Sequence, residues 1–141
     1  MTTATAATTQ RGLARATYTA AHVQERVRRD LEFCGITRAD IAVTRCDDLL
    51  NVYVAHVRVS FGPTAEHPMV NTVYLYWRDR HGGEHFRTIV RPWDVTNTYL
   101  DVDSVQTDGD EIVVSCRMHC GPGALKSDML ERRVRIAELD L

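Results

Sequence analysis

Cys116, His119 and Cys120 come nearest to a metal set in this chain, because thiolates and imidazole are zinc ligands and His81 or His85 could supply a fourth donor. Their spacing argues against it. On a strand, Cys116 and Cys120 face one side and His119 the other, so the three converge only if the strand ends near Met118 and turns through Cys120-Gly121-Pro122-Gly123. A Cys-x-x-Cys pair would be specific, whereas Cys-x-x-x-Cys is not, and buried free thiols are the simpler reading. No metal or other cofactor is expected. His81-Gly82-Gly83-Glu84-His85 shares letters with a metalloprotease string, but that chemistry needs two histidines on one helix face and the double glycine makes a turn. Asp101, Asp103, Asp108 and Asp110 lack the spacing of a calcium loop.

Covalent catalysis finds no better support. Ser60, Ser104, Ser115 and Ser127 have no Gly-x-Ser-x-Gly elbow around them, and Cys34 closes a helix whose dipole disfavours a thiolate. No glycine-rich phosphate loop follows a strand. The chain is read as leaning away from enzymes.

A binding surface is easier to find. A two-residue turn at Gly82-Gly83 would place Trp77 opposite Thr88 and Leu75 opposite Val90, which brings the apolar faces of the two strands together. The same register sets Arg78 opposite Arg87 and Arg80 beside His85, with Tyr74, Tyr76 and Arg91 on that face. Opposed like charges cost stability, so such a cluster would take a carboxylate, a phosphate or an acidic partner, and the tyrosines could stack or hydrogen-bond. Arg117, with Asp101 and Asp103 on the next strand, extends this polar face, and a ladder of exposed charges is its plainer explanation. Trp93, in Arg91-Pro92-Trp93-Asp94, could anchor a partner or cover one end of the core.

The elements that position these residues follow from periodicity. Ala20, Val23, Val27, Leu31 and Cys34 recur at three and four residues, which predicts an amphipathic helix over about 19–34. Thr17 or Thr19 can cap its start, while Gly35 and Ile36 suit a left-handed C-cap and its apolar contact. Thr37 to Ile41 is read as a short extra turn. The period then changes to two: in the run Leu50 to Phe61, Tyr53, Ala55, Val57 and Val59 face one way, with His56 and Arg58 opposite. Further strands are predicted at 73–78, 86–91, 98–105, 112–119 and 132–139. At Asp108-Gly109-Asp110 a loop longer than two residues pairs Leu100 with Met118, Asp101 with Arg117 and Val102 with Cys116.

The expected fold is therefore α+β and mainly antiparallel β, one N-terminal helix packed on a meander of six to seven strands; a β-sandwich with the helix at one end is the alternative. Residues 1–16 read as a Thr/Ala-rich tail and 17–141 as one domain. Its length of 141 residues, with 44% hydrophobic and 26% charged residues, fits a single soluble globular core. A net charge of −2 makes nucleic acid an unexpected partner, and no apolar run suits a membrane. Four cysteines without a secretory h-region indicate reduced thiols in a cytoplasmic setting, although the first 24 residues carry no acid and would also suit an organellar transit peptide. The sequence favours a noncatalytic binding or assembly module that meets a protein subunit, a second copy of itself or an anionic ligand. The competing reading is a small enzyme or ligand-binding protein with a pocket between helix and sheet, using His56, His85, Arg87, Asp101 or Trp93.

Overall fold

The computed structural model describes residues 18–60, 69–92, 99–119 and 127–141. The predicted tail, Trp93 and Cys120 lie outside them. Thr19 has extended backbone (φ −120°, ψ 170°) and its Oγ1 accepts a hydrogen bond from the His22 N–H at 3.2 Å, so it caps helix α1, Ala20–Phe33. At the other end the Gly35 N–H donates to Glu32 O at 2.9 Å and the Ile36 N–H to Leu31 O at 2.9 Å. This is the bonding of a Schellman motif, and it needs the left-handed backbone that Gly35 supplies at φ 82°. Val23 and Val27 are buried, and Arg28, paired with Glu25 and Glu32, lies on the wet side. The apolar stripe therefore sets which face of the helix is inside.

Seven antiparallel strands follow in sequence order: β1 Ala39–Arg45, β2 Val52–Ser60, β3 Met69–Arg78, β4 Glu84–Val90, β5 Tyr99–Asp108, β6 Glu111–His119 and β7 Ser127–Arg135. A 3-10 turn, Ile136–Leu139, ends the chain's regular structure. The meander is cut once, giving a four-stranded sheet β1-β2-β3-β4 and a three-stranded sheet β5-β6-β7. Residues 39–41, predicted as a turn, are already strand, since Ala39 pairs with Val59 and Ile41 with Val57. Helix propensity there yields to an available strand edge.

The two sheets share one core. Val54, Val73, Leu75 and Val90 of the larger sheet pack in the same buried cluster as Leu100, Ile112, Val114 and Cys116 of the smaller, with Leu139 beside them. On the other face of the larger sheet, Tyr53, Ala55, Val57 and Tyr76 pack against Val23 and Val27 of α1. The order of layers is helix, four-stranded sheet, three-stranded sheet. The larger sheet is thus apolar on both faces, which is why β2 reads Val-Tyr-Val-Ala without a polar residue before His56.

That double coverage overturns the register expected for the β3–β4 hairpin. Arg78 pairs with Glu84 rather than Arg87, Trp77 with His85 rather than Thr88, and Leu75 with Arg87 rather than Val90. Asp79 holds the connection: its Oδ1 accepts from the His81 and Gly83 N–H groups, both at 2.8 Å, and its Oδ2 meets His85 Nε2 at 2.7 Å. Local turn bonding decides the register near the turn, and a bulge between Val73 and Tyr74 returns Val90 to a position opposite Val73 in the core. A Cβ at Gly83 would stand 2.7 Å from that pinned Asp79 Oδ2. Gly83→Ala is expected to lower stability by about 0.5–3 kcal/mol, read as a lower thermal midpoint. An unchanged midpoint would show that the Asp79 clamp moves freely.

In the β5–β6 hairpin Leu100 pairs with Met118, Asp101 with Arg117 and Val102 with Cys116, as expected. Closer to the turn a bulge between Val102 and Ser104 shifts the register, so that Asp108 pairs with Glu111 across Gly109-Asp110. Gly109 takes φ 63°, the left-handed backbone such a short turn requires.

Candidate functional site

Where the helix begins, the ends of three strands and the chain's last residues converge. Tyr53 lies opposite Arg45 in the β1–β2 pair and opposite Tyr76 in the β2–β3 pair. The Tyr53 hydroxyl donates to Tyr18 O at 3.1 Å, and the two rings meet edge to face at 5.4 Å and 76°. The Arg78 guanidinium lies over the Tyr18 ring, 4.6 Å from its centroid. Tyr18 and Arg78 are 4% and 9% exposed, so this cation sits in a largely dry setting. The Tyr18 hydroxyl is buried without a hydrogen-bond partner among the described residues. Burial first, and the Glu84 carboxylate second, push the Tyr18 phenol above its usual range, so it stays neutral.

Backbone bonds fix the walls around these rings. The Arg78 N–H donates to Asn51 O at 3.1 Å, tying β3 to the β1–β2 turn. The Arg80 N–H donates to Asp140 O at 2.8 Å and its Nε pairs with Asp140 Oδ1 at 3.0 Å. The result is an open groove of about 680 Å³ lined by Tyr18, Tyr53, Arg45, Arg78, Arg80 and Leu50, among others. Arg45 is exposed and makes no ion pair with the described residues. Leu50 is 74% exposed. Asp79 also lines the groove, and its partner His85, followed by the turn N–H groups, holds its carboxyl down at about 2. Arg45, Arg78 and Arg80 bring guanidinium groups to the groove, where Asp79 supplies a carboxylate and Asp140 pairs with Arg80.

The polar face predicted from sequence is divided among three surfaces. Tyr74 and Tyr76 belong to the helix side of the sheet, where the Tyr76 hydroxyl donates to Asp30 Oδ2 at 3.1 Å and the ring stacks on Phe86 at 5.5 Å. His85 and Arg87 are on the opposite side, against Trp77: His85 stacks on it at 5.4 Å, and Arg87 lies over it at 5.8 Å and pairs with Glu138 at 2.7 Å. Arg91 is exposed just beyond β4. Arg117 is on the smaller sheet, 3.7 Å from Asp103. Among the described residues of the predicted set, only Arg78 and Arg80 line the groove together. Sequence reasoning missed Tyr18, Arg45 and Leu50; the signal available was a tyrosine directly before a helix cap and an unbalanced arginine at a strand end.

The residues of the competing enzyme reading separate as well. His56 is 7% exposed, and its Nε2 meets Asn71 Oδ1 at 2.9 Å. Arg58 reaches Asp101 at 3.4 Å beside it, while His85 and Arg87 are at the other end of the strands. Burial outweighs the Asn71 bond and lowers the His56 pKa, leaving a neutral imidazole enclosed between the sheets. Cys116 faces the inter-sheet core, where burial raises its thiol to about 11, and His119 enters only as a backbone position in β6. No group of three potential metal ligands gathers among the described residues, and no helix there is long and apolar enough to cross a membrane. Comparison with protein-family models, curated proteins and solved structures finds no match.

Proposed function

We propose that this protein is a noncatalytic binding module that meets an anionic partner through the groove beside Tyr18. The observation that carries the reading is the convergence of Arg45, from the end of β1, with Arg78 and Arg80, from the end of β3, on two buried tyrosines. Guanidinium groups in a partly desolvated cleft bind carboxylate or phosphate through paired, charge-assisted hydrogen bonds. Arg78 is held over a ring and Arg80 is held by Asp140, so both are oriented before a partner arrives, which lowers the entropy lost on binding. The surface is thus moved from the sheet face expected from sequence to the helix entry. Free thiols at Cys34, Cys46 and Cys116 support a reducing, cytoplasm-like setting.

Retention on immobilised heparin tests the reading. Arg45→Ser with Arg80→Ser should elute at lower salt than the parent protein, while Arg29→Ser with Arg133→Ser, an equal change of net charge elsewhere, should shift it less. Equal shifts for the two pairs would make retention a matter of net charge and end the proposal.

A further inference from the structure

We infer that two copies of this chain pair antiparallel through their β1 edges, joining the larger sheets into one across a two-fold axis. The Cys46 N–H donates to Val52 O at 2.9 Å, so by alternation Asp40, Ala42 and Thr44 bond to β2, and the N–H and C=O groups of Ala39, Ile41, Val43 and Arg45 point outward. Gln24 Nε2 reaches Ile41 O from the helix at 3.5 Å, on that outer side. Among the described residues no backbone group meets this edge. The other edges are tied or guarded: β4 gives Ile89 O to Arg132 Nε of β7 at 2.9 Å, β5 gives Val105 O to the Asp47 N–H at 3.1 Å, and β7 carries Asp128, Glu131, Arg133 and Arg135. The centre of β1 is Ile41-Ala42-Val43, with no charge to deter pairing.

What flanks the edge selects a second copy as its occupant. A two-fold axis at Ala42, the midpoint of β1, pairs Ala39 with Arg45 and Ile41 with Val43 of the second copy, so every outward residue is bonded. It also sets the Asp40 carboxylate against the Thr44 hydroxyl, and two alanines where the strands come closest, about 4.5 Å between Cα atoms. Helix α1 packs on β1 more than on β2, so the two helices would stand about 10 Å apart above the joined strands, near the spacing of packed helices. Their facing flanks carry Glu25, Arg28 and Glu32, and Arg28 and Arg29 already pair with those carboxylates. Such a balanced face gains nothing from a strongly charged partner, whereas a copy of itself can exchange Glu25 and Arg28 contacts and leave no charge unmatched. Below them Leu31, Ile36 and Ile41, half-buried in one copy, line a groove of about 340 Å³ that the second copy covers.

Sedimentation of the full chain over a concentration series is expected to reach a species of twice the 16.0 kDa chain mass. Ala42 is exposed, so Ala42→Glu and Ala42→Lys should keep the parent's thermal midpoint under dilute conditions, yet each sets two like charges face to face across the axis. Either variant alone should sediment at the chain mass, and an equal mixture of the two should restore the doubled mass. Hydrogen exchange at the Ile41 and Val43 amides should be slow in the parent and faster in either variant alone. A parent that stays at the chain mass at every concentration, or a dimer that survives both charge variants, would overturn the inference. Slow exchange at Ile41 and Val43 in a species of chain mass would assign the edge to another segment and overturn it too. Ala42 does not line the groove beside Tyr18, so heparin retention tests that reading separately.

Discussion

Replacing Leu75 by Ala is expected to destabilise the protein by about 2–5 kcal/mol, the usual cost of truncating a fully enclosed leucine. Leu75 is 0% exposed and belongs to the cluster that joins the two sheets. Its side chain has strand neighbours on one side and the smaller sheet on the other, so the removed methyl groups leave a cavity that neither layer can easily collapse to fill. Phe86→Ala on the next strand should cost far less, because Phe86 is 55% exposed. Chemical denaturation of both variants, with an unchanged slope, measures the difference. A Leu75→Ala cost below that of Phe86→Ala would mean that the sheets do not share a core.

The second large effect concerns the polar cluster enclosed beside that core. Asn71 is 1% exposed and its Oδ1 accepts from His56 Nε2 at 2.9 Å and from Arg58 Nε at 3.5 Å. Asn71→Ala leaves the His56 N–H buried without that acceptor, which should cost about 1–3 kcal/mol. The same histidine makes stability depend on pH. Its folded pKa is lowered from 6.5, mainly by burial, so the unfolded chain takes up the proton first as pH falls. This contribution is complete above the unfolded value of 6.5 and is lost progressively as pH falls below it toward the lower folded value. Urea titrations at pH 7.5 and 5.5 should show the parent protein losing more stability on acidification than His56→Leu. An equal loss in both would show that His56 is not held neutral by the fold.

How far the chain could be read before folding differs from element to element. The α1 boundaries were legible because Thr19, Gly35 and the Val23/Val27/Leu31 stripe act within a few residues of one another, where capping bonds and side-chain spacing are local. The β5–β6 pairing was legible for a related reason: Leu100, Val102, Cys116 and Met118 alternate against a single core, so one register satisfies them. The β3–β4 pairing was not, since face matching assumes one wet side and the sheet has none at Leu75 and Tyr76. Asp79 then settles the register through turn hydrogen bonds whose strength no apolar pattern displays.

The candidate site shows the same division. Sequence alone determined that arginines and tyrosines at Arg78, Arg80, Tyr74 and Tyr76 had to emerge near one hairpin. Only the tertiary structure decided which of them meet. Tyr76 turned to Asp30 on the helix, His85 and Arg87 turned to Trp77, and Arg78 turned to a tyrosine lying in sequence before the helix. Helix caps and alternating strands depend on neighbours in the chain, so their physics is written in the order of residues. The groove depends on Tyr18, Arg45, Leu50 and Arg78, which become neighbours only when strand pairing closes the distances between them.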